Sequence, residues 1–158
     1  MTRSGIGYDI HRFADGLKLT LGGVEIEHPR GLQGHSDADV LSHAIADALL
    51  GAIGAGDIGQ HFPNTEESIR GISSIEILKH VANLLAEKNA RVINIDATVI
   101  AEAPKLAPQA PAMRQKIAAA IGMDESDVSV KATTNEKLGP IGQGEGIAAI
   151  AIATIELE

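Results

Sequence analysis

The sequence predicts one domain that mixes β-strands with α-helices, and three patterns predict it. Residues 6–13, 91–101 and 127–132 alternate polar with apolar or β-branched side chains, the signature of half-buried strands. Residues 41–52, 75–85 and 113–121 instead carry apolar residues at helical spacing. The chain then closes on Ile147–Leu157, too continuously apolar for a half-exposed strand and expected to be buried on both faces, by helices or by other subunits. At 158 residues it is long enough to bury a core unaided, and it has no cysteine, which removes thiolate metal sites, redox motifs and a disulfide framework together. A net charge of -8 argues against a basic nucleic-acid surface, and 2% aromatics leave no stacking platform for bases. An anionic ligand would have to be held by metal, backbone amides and a few lysines. No apolar run reaches membrane-spanning length and Met1–Gly7 lacks a signal core, so the expectation is a soluble, cytoplasmic chain with neither membrane nor nucleic acid as partner.

Taken in order, the strand Ile6–Phe13 places Asp9 and His11 on one face, two residues apart, as a chelating pair. A solvent-exposed pair at a strand edge has the same sequence. Leu19–Leu21 and Val24–Ile26 form a hairpin around Gly22-Gly23, whose turn demands positive φ. In Gly34-His35-Ser36-Asp37-Ala38-Asp39, Ser36 reads as an N-cap with Asp39 as its capping-box partner, starting a helix near Asp37. Leu41, Ile45, Ala48, Leu49 and Ala52 form its core stripe, and Gly54-Ala55-Gly56 stops it. His43 and Asp47 share a face of that helix. With Asp9 and His11, His43 would give a divalent ion three ligands and leave a fourth position open. A buried histidine that is merely hydrogen-bonded is the alternative.

The loop Gly56–Glu66 is longer than a connection needs; Asp57 can hold a hydroxyl there and Phe62-Pro63 can wall a pocket. Ser73-Ser74-Ile75-Glu76 opens a second helix with a capping box, buried through Ile75, Leu78, Val81, Ala82 and Leu85 and ending at Lys88-Asn89. The strand 91–101 runs into Glu102–Pro108, whose two prolines stiffen a segment able to offer backbone groups to a flat heterocycle, with Lys105 near phosphate. A third helix follows from about Pro108 to Ile121, with Met113, Ile117 and Ile121 inward and Gly122 as stop. After strand 127–132, Thr133–Gly146 gathers hydroxyls, Glu136, Lys137 and four glycines, a place where backbone can approach a phosphate and a carboxylate can hold Mg²⁺.

Together, Gly7-Tyr8-Asp9-Ile10-His11, Gly34–Asp39 with His43, Gly56-Asp57-Ile58-Gly59, Ala103-Pro104-Lys105 and Lys131–Gly139 resemble the 2-C-methyl-D-erythritol 2,4-cyclodiphosphate synthase family over nearly the whole chain. The resemblance implies an α+β subunit, its mixed β-sheet covered by helices on one face, assembled as a ring-shaped homotrimer with shared active sites. It implies conversion of 4-diphosphocytidyl-2-C-methyl-D-erythritol 2-phosphate to the cyclic diphosphate with release of CMP, in the non-mevalonate isoprenoid pathway. By family analogy Asp9, His11 and His43 bind Zn²⁺, and Glu136 binds Mg²⁺ or Mn²⁺. His35 and Ser36 meet the attacking phosphate, and Thr134 stabilises the transition state. The segments Asp9-Ile10-His11 and Thr134-Asn135-Glu136 run along the substrate. Asp57, Ile58 and Gly59 hold the methylerythritol part, with Phe62, Pro63, Asn64, Thr65 and Glu66 closing over it. Ala101, Glu102, Ala103, Pro104, Lys105, Leu106 and Ala107, with Thr133, form a cytidine pocket given by the adjacent subunit. Where many members carry an aromatic residue, an arginine and a glutamate around an axial cavity for isoprenoid diphosphates, this chain has Pro140, Gln143 and Ile150, a coordinated change expected to weaken such binding. A metal-dependent phosphohydrolase using the same Asp-His-His site, or a zinc-stabilised oligomerisation module, are the rival readings.

Overall fold

A computed structural model of the chain describes residues 1–63, 65, 67 and 70–158. The first strand, β1 (Thr2–Asp15), lies between β4 (Arg30–Leu32) and the last strand, β7 (Gly146–Leu157), antiparallel to both. β7 pairs antiparallel with β5 (Ala90–Ile100), and β5 pairs parallel with β6 (Val128–Thr133), giving the mixed order β4-β1-β7-β5-β6. The hairpin β2 (Leu19–Leu21) and β3 (Val24–Ile26) turns through Gly22 and Gly23, at φ 57 and 73. These are the positive values that a two-residue hairpin turn requires.

Helix α1 (Val40–Ala52) packs on one face of β1 and β7. Its approach is set by small residues. A Cβ on Gly5 or Gly7 would strike the backbone of Ala48 or Ala44, so helix and strand meet main chain to main chain. On β7 the same face carries Ile147, Ala149, Ala151, Ala153 and Ile155, all buried. Helices α3 (Ser74–Glu87) and α4 (Ala110–Ile121) complete the layer, and the short α2 (Ile58–His61) and α5 (Gly139–Gly142) shape loops. Leu41, Ile45, Leu49 and Leu50 of α1 are fully buried, each contributing about 2 kcal/mol. Among the described residues no helix is long and apolar enough to cross a membrane.

Two sequence expectations need correction, and one is met on one face. α1 starts at Val40 rather than near Asp37, because Ala38 takes φ 55 and Asp39, not Ser36, is the N-cap, its carboxylate accepting from Ser42 N at 3.0 Å. β7, expected to be buried on both faces by helices or by other subunits, is covered by helices on one face within this chain. Ile150 and Ile152 stand exposed beside Ile6, Tyr8 and Ile10 of β1, so the unbroken apolar run reflects a core face plus an uncovered apolar face. In α3 it is Ile77 rather than Ile75 that is buried, and Glu76 pairs with Lys79 at 2.9 Å instead of closing a capping box.

Candidate active site

The strand period carries Asp9 and His11 to the helix-covered face of β1, and the close approach of α1 brings His43 down onto them. Asp9 Oδ2 lies 2.9 Å from His11 Nε2 and 3.0 Å from His43 Nδ1, and the two ring nitrogens are 3.4 Å apart. Tetrahedral coordination at zinc–nitrogen lengths spaces ligand atoms about 3.3 Å apart, so these atoms fit a common ion with a few tenths of an ångström of opening. Imidazole and carboxylate are also the donor types such an ion takes in the absence of cysteine. Burial alone would raise the Asp9 carboxyl, yet the bonds and charges of His11 and His43 outweigh it and hold it down to about 2. Burial pulls the other way on His11, whose imidazole is nonetheless raised by its bond to Asp9.

The outer edges of both rings are tied down. His11 Nδ1 faces the Gln33 carbonyl at 2.8 Å. His43 Nε2 lies 2.8 Å from Ser74 Oγ and 3.1 Å from Ser36 Oγ. Ser74 Oγ donates in turn to Asp37 Oδ1. Asp39, entirely buried, accepts from Gly22 N, Gly23 N, Ser42 N and Ser42 Oγ, joining the β2–β3 hairpin to the start of α1. Burial pushes its carboxyl up against the pull of these donors.

The trio forms one wall of a cavity of about 330 Å³ that Gly34, His35, Ser36, Ile58, Gly59 and Phe62 also line. Asp47, one turn beyond His43, accepts from Ile58 N at 2.8 Å and so docks α2 against this cavity. Burial, then the nearby Asp57 and Asp9 charges, raise the Asp47 carboxyl. Asp57 is exposed and caps α2 through Gln60 N at 3.1 Å. Pro63 is half-buried and Thr65 exposed, while Asn64 and Glu66 lie outside the described residues. Ile10 belongs to the segment but its side chain is on the opposite, uncovered face of the sheet.

The remaining expected residues form a second cluster on the β5–β6 edge. Glu102 Oε1 accepts from Asn135 N at 3.2 Å and Lys137 N at 2.9 Å, Thr134 Oγ1 accepts from Glu136 N, and Gln143 Nε2 donates to the Lys137 carbonyl at 2.9 Å. These bonds hold Glu136 and Lys137 at φ 52 and 59, positive values that side-chain-bearing residues rarely take. The Ala103–Pro104 peptide is cis, Lys105 is exposed, and Leu106 and Ala107 line a separate cavity with Val99, Lys131 and Ala132. Three strand spacings separate β1 from β6, about 14 Å. Thr133, Thr134, Asn135 and Glu136 are not among the residues that line the Asp9–His11–His43 cavity.

The profile of the YgbB family matches residues 2–156. Over 98% of its length the chain is 57% identical to the 2-C-methyl-D-erythritol 2,4-cyclodiphosphate synthase of Chlorobium luteolum, of which it covers 98%. This chain belongs to the YgbB family of cyclodiphosphate synthases. Its counterpart in Alkaliphilus metalliredigens, of the same name, is 56% identical, with 97% of this chain and 96% of that one covered. Among solved structures, the Plasmodium falciparum IspF, a CDP complex, superposes with a TM-score of 0.87 at 36% identity, covering 99% of this chain and 97% of that one. The bifunctional IspDF of Campylobacter jejuni matches at TM-score 0.96 and 41% identity, but this chain spans only 43% of it. A YgbB-family synthase is a lyase acting on phosphorus–oxygen bonds, and the Asp-His-His group is its candidate metal site.

Sequence reasoning missed the part played by Asp37 and Ser74 in this YgbB-family site. Both were read as helix-start residues, and their bond spans 37 positions, a separation over which local pattern carries no signal. Asp47 was visible as the neighbour of His43 one turn on, although nothing local showed that it docks α2.

Proposed function

We propose that this chain converts 4-diphosphocytidyl-2-C-methyl-D-erythritol 2-phosphate to 2-C-methyl-D-erythritol 2,4-cyclodiphosphate, releasing CMP, within the non-mevalonate isoprenoid pathway. The observation that carries the reading is the convergence of Asp9, His11 and His43 on one wall of a cavity that His35 and Ser36 line on a polar side and Ile58, Phe62, Ile72 and Ile77 line on an apolar one. A divalent ion, Zn²⁺, held by these three residues supplies Lewis-acid polarisation and charge neutralisation to a bound diphosphate. The substrate's own 2-phosphate attacks the β-phosphorus, so the protein has to supply position rather than a nucleophile. His35 and Ser36, on the cavity wall, are placed to orient that phosphate. Asp57, Ile58 and Gly59 bind the methylerythritol hydroxyls, and Phe62 excludes water above them.

Glu136 is the ligand for a second, harder ion, Mg²⁺ or Mn²⁺, and the Thr134 hydroxyl meets the charge that builds on the transferring phosphoryl group. Residues 101–107 and Thr133 hold the cytidine. In this reading these residues come from a neighbouring copy in a homotrimer. Two features support it: the separation of the two clusters within one chain, and the apolar, uncovered face built from Ile6, Tyr8, Ile10, Ile150 and Ile152. Product analysis by mass spectrometry, with zinc and magnesium supplied, tests the reaction. CMP and the cyclic diphosphate are expected in equal amounts; inorganic phosphate without cyclic product would overturn the reading in favour of hydrolysis.

A further inference from the structure

We propose that Ser74, anchored by Asp37, is a positioning residue that fixes the tautomer of His43, so that Nε2 carries the proton and Nδ1 presents its lone pair to the metal position. The inference rests on the reading of Asp9, His11 and His43 as metal ligands. It follows from counting protons along one chain of bonds. The Asp37 carboxylate accepts three times: from Asp39 N at 3.1 Å and Ser74 Oγ at Oδ1, and from Ser74 N at 2.9 Å at Oδ2. An ionised carboxylate has no proton to give, and a serine hydroxyl has only one. The Ser74 proton is therefore committed to Asp37, and the contact of 2.8 Å between Ser74 Oγ and His43 Nε2 holds only if Nε2–H is the donor. With Nε2 committed as donor, Nδ1 is the nitrogen left to a metal ion, and it lies 3.0 Å from Asp9 Oδ2 and 3.4 Å from His11 Nε2.

Ser74 and Asp37 are suited to this because they cannot easily reorient. Ser74 and His43 are buried, and Ser74 opens α3 while Asp37 precedes α1, so the pair is held from two helices. His11 is treated the same way by a different device. Its Nδ1 faces the Gln33 carbonyl, which can only accept, leaving Nε2 for the metal position. Both histidines thus have their outer nitrogen locked as donor. One more proton is placed by the same count. Ser36 Oγ takes an N–H from Ala38 at 3.2 Å and lies 3.1 Å from the His43 donor, so its own hydroxyl proton is left to point into the cavity, where an anionic oxygen would receive it.

Outer partners of metal-bound histidines hold ring orientation and basicity, and their loss lowers affinity about 10- to 100-fold. Zinc affinity, measured by chelator competition, is therefore expected to fall in that range in Ser74→Ala and in Asp37→Asn. Because Asp37 acts on His43 only through Ser74, the double variant should bind zinc no more weakly than Ser74→Ala alone. Wild-type affinity in Ser74→Ala, or a full additional loss in the double variant, would overturn the proposal. Should Ser74→Ala fail to fold, long-range ¹H–¹⁵N spectra of the zinc-loaded wild-type protein decide it instead. A protonated Nε2 on His43 is expected, and a protonated Nδ1 would overturn it. Undiminished zinc binding by His43→Ala would show that the metal reading of the trio, rather than the relay, is at fault.

Discussion

Replacing Gly7 with alanine adds one methyl group at the tightest contact in the fold, and the geometry says where it must go. The new Cβ would stand 2.8 Å from Ala48 N and closer still to the Ala44 carbonyl oxygen. Both are helix backbone atoms, so no rotamer change relieves the clash. Restoring a normal separation of about 3.5 Å means lifting α1 from β1 by about 1.5 Å. His43 adjoins Ala44, and Asp9 is two residues past Gly7, so the displacement acts directly on the 3.0 Å gap between Asp9 and His43. Metal sites tolerate about 0.2 Å in ligand distance, and zinc affinity should fall at least about 100-fold. Overpacking that moves backbone costs about 3 kcal/mol, which for a chain of this size lowers Tm by about 6–12 °C. Gly51→Ala is the control. It lies in the same helix, its Cβ would meet nothing nearer than Gly5 Cα at 3.9 Å, and glycine in a helix interior costs up to about 1 kcal/mol relative to alanine, so this variant should be slightly stabilised with zinc binding intact. Calorimetric melting with and without zinc, together with chelator competition, reads both terms. Gly7→Ala with wild-type zinc affinity and a Tm within 2 °C or so of the parent would refute the claim that close approach of helix to strand builds the site.

Asp39→Asn should lower the free energy of urea unfolding by about 3 kcal/mol, since the amide nitrogen meets an N–H donor at a position where all four partners donate. Asparagine caps helices as well as aspartate, so an unchanged midpoint would mean that capping is all Asp39 does. If sites are shared between copies, mixing equal amounts of His43→Ala and Glu136→Ala protein under conditions of subunit exchange should restore about a quarter of wild-type turnover, because about three trimers in four are then mixed and each of those holds one intact site in three. Two inactive variants that stay inactive on verified exchange would refute the sharing. In metal-stripped protein Asp9 is depressed from 3.8 to about 2, so the stability it contributes is complete above 3.8 and lost as pH falls toward 2. Acid titration of stability in Asp9→Asn should lack that part of the loss; identical acid limbs would contradict it.

How much of this was legible in the sequence depends on the range of the interaction concerned. Asp9 and His11 could be paired because a strand repeats every two residues, and the α1 stripe because a helix repeats every 3.6. Gly22-Gly23 announced its turn because only glycine takes those φ values cheaply. Ser36, Asp37 and Asp39 were correctly seen as a helix-start cluster and wrongly apportioned. Each can satisfy a nearby backbone N–H, and which of them does so is decided by partners far away in sequence: Ser74 claims Asp37, and the Gly22-Gly23 amides claim Asp39, leaving Asp39 as the cap. The β7 run left its two faces undistinguished for a related reason. Hydropathy marks a residue as apolar without saying what covers it, so Ala149, Ala151 and Ala153, pressed against α1, look the same as Ile150 and Ile152, exposed on the other face.

That distinction between the two faces has a functional consequence. Small residues on the helix side of β1 and β7 let α1 descend far enough for a helix histidine to meet a strand aspartate at 3.0 Å, whereas bulky residues there would hold His43 out of reach. Large residues on the far side leave an apolar face that costs free energy in water unless a second surface meets it. The alternation along two strands thus builds two faces at once, one that brings Asp9, His11 and His43 together and one that is left apolar and uncovered within the chain. Association is also what would carry Thr134 and Glu136, which line no part of their own chain's cavity, to that of a neighbour.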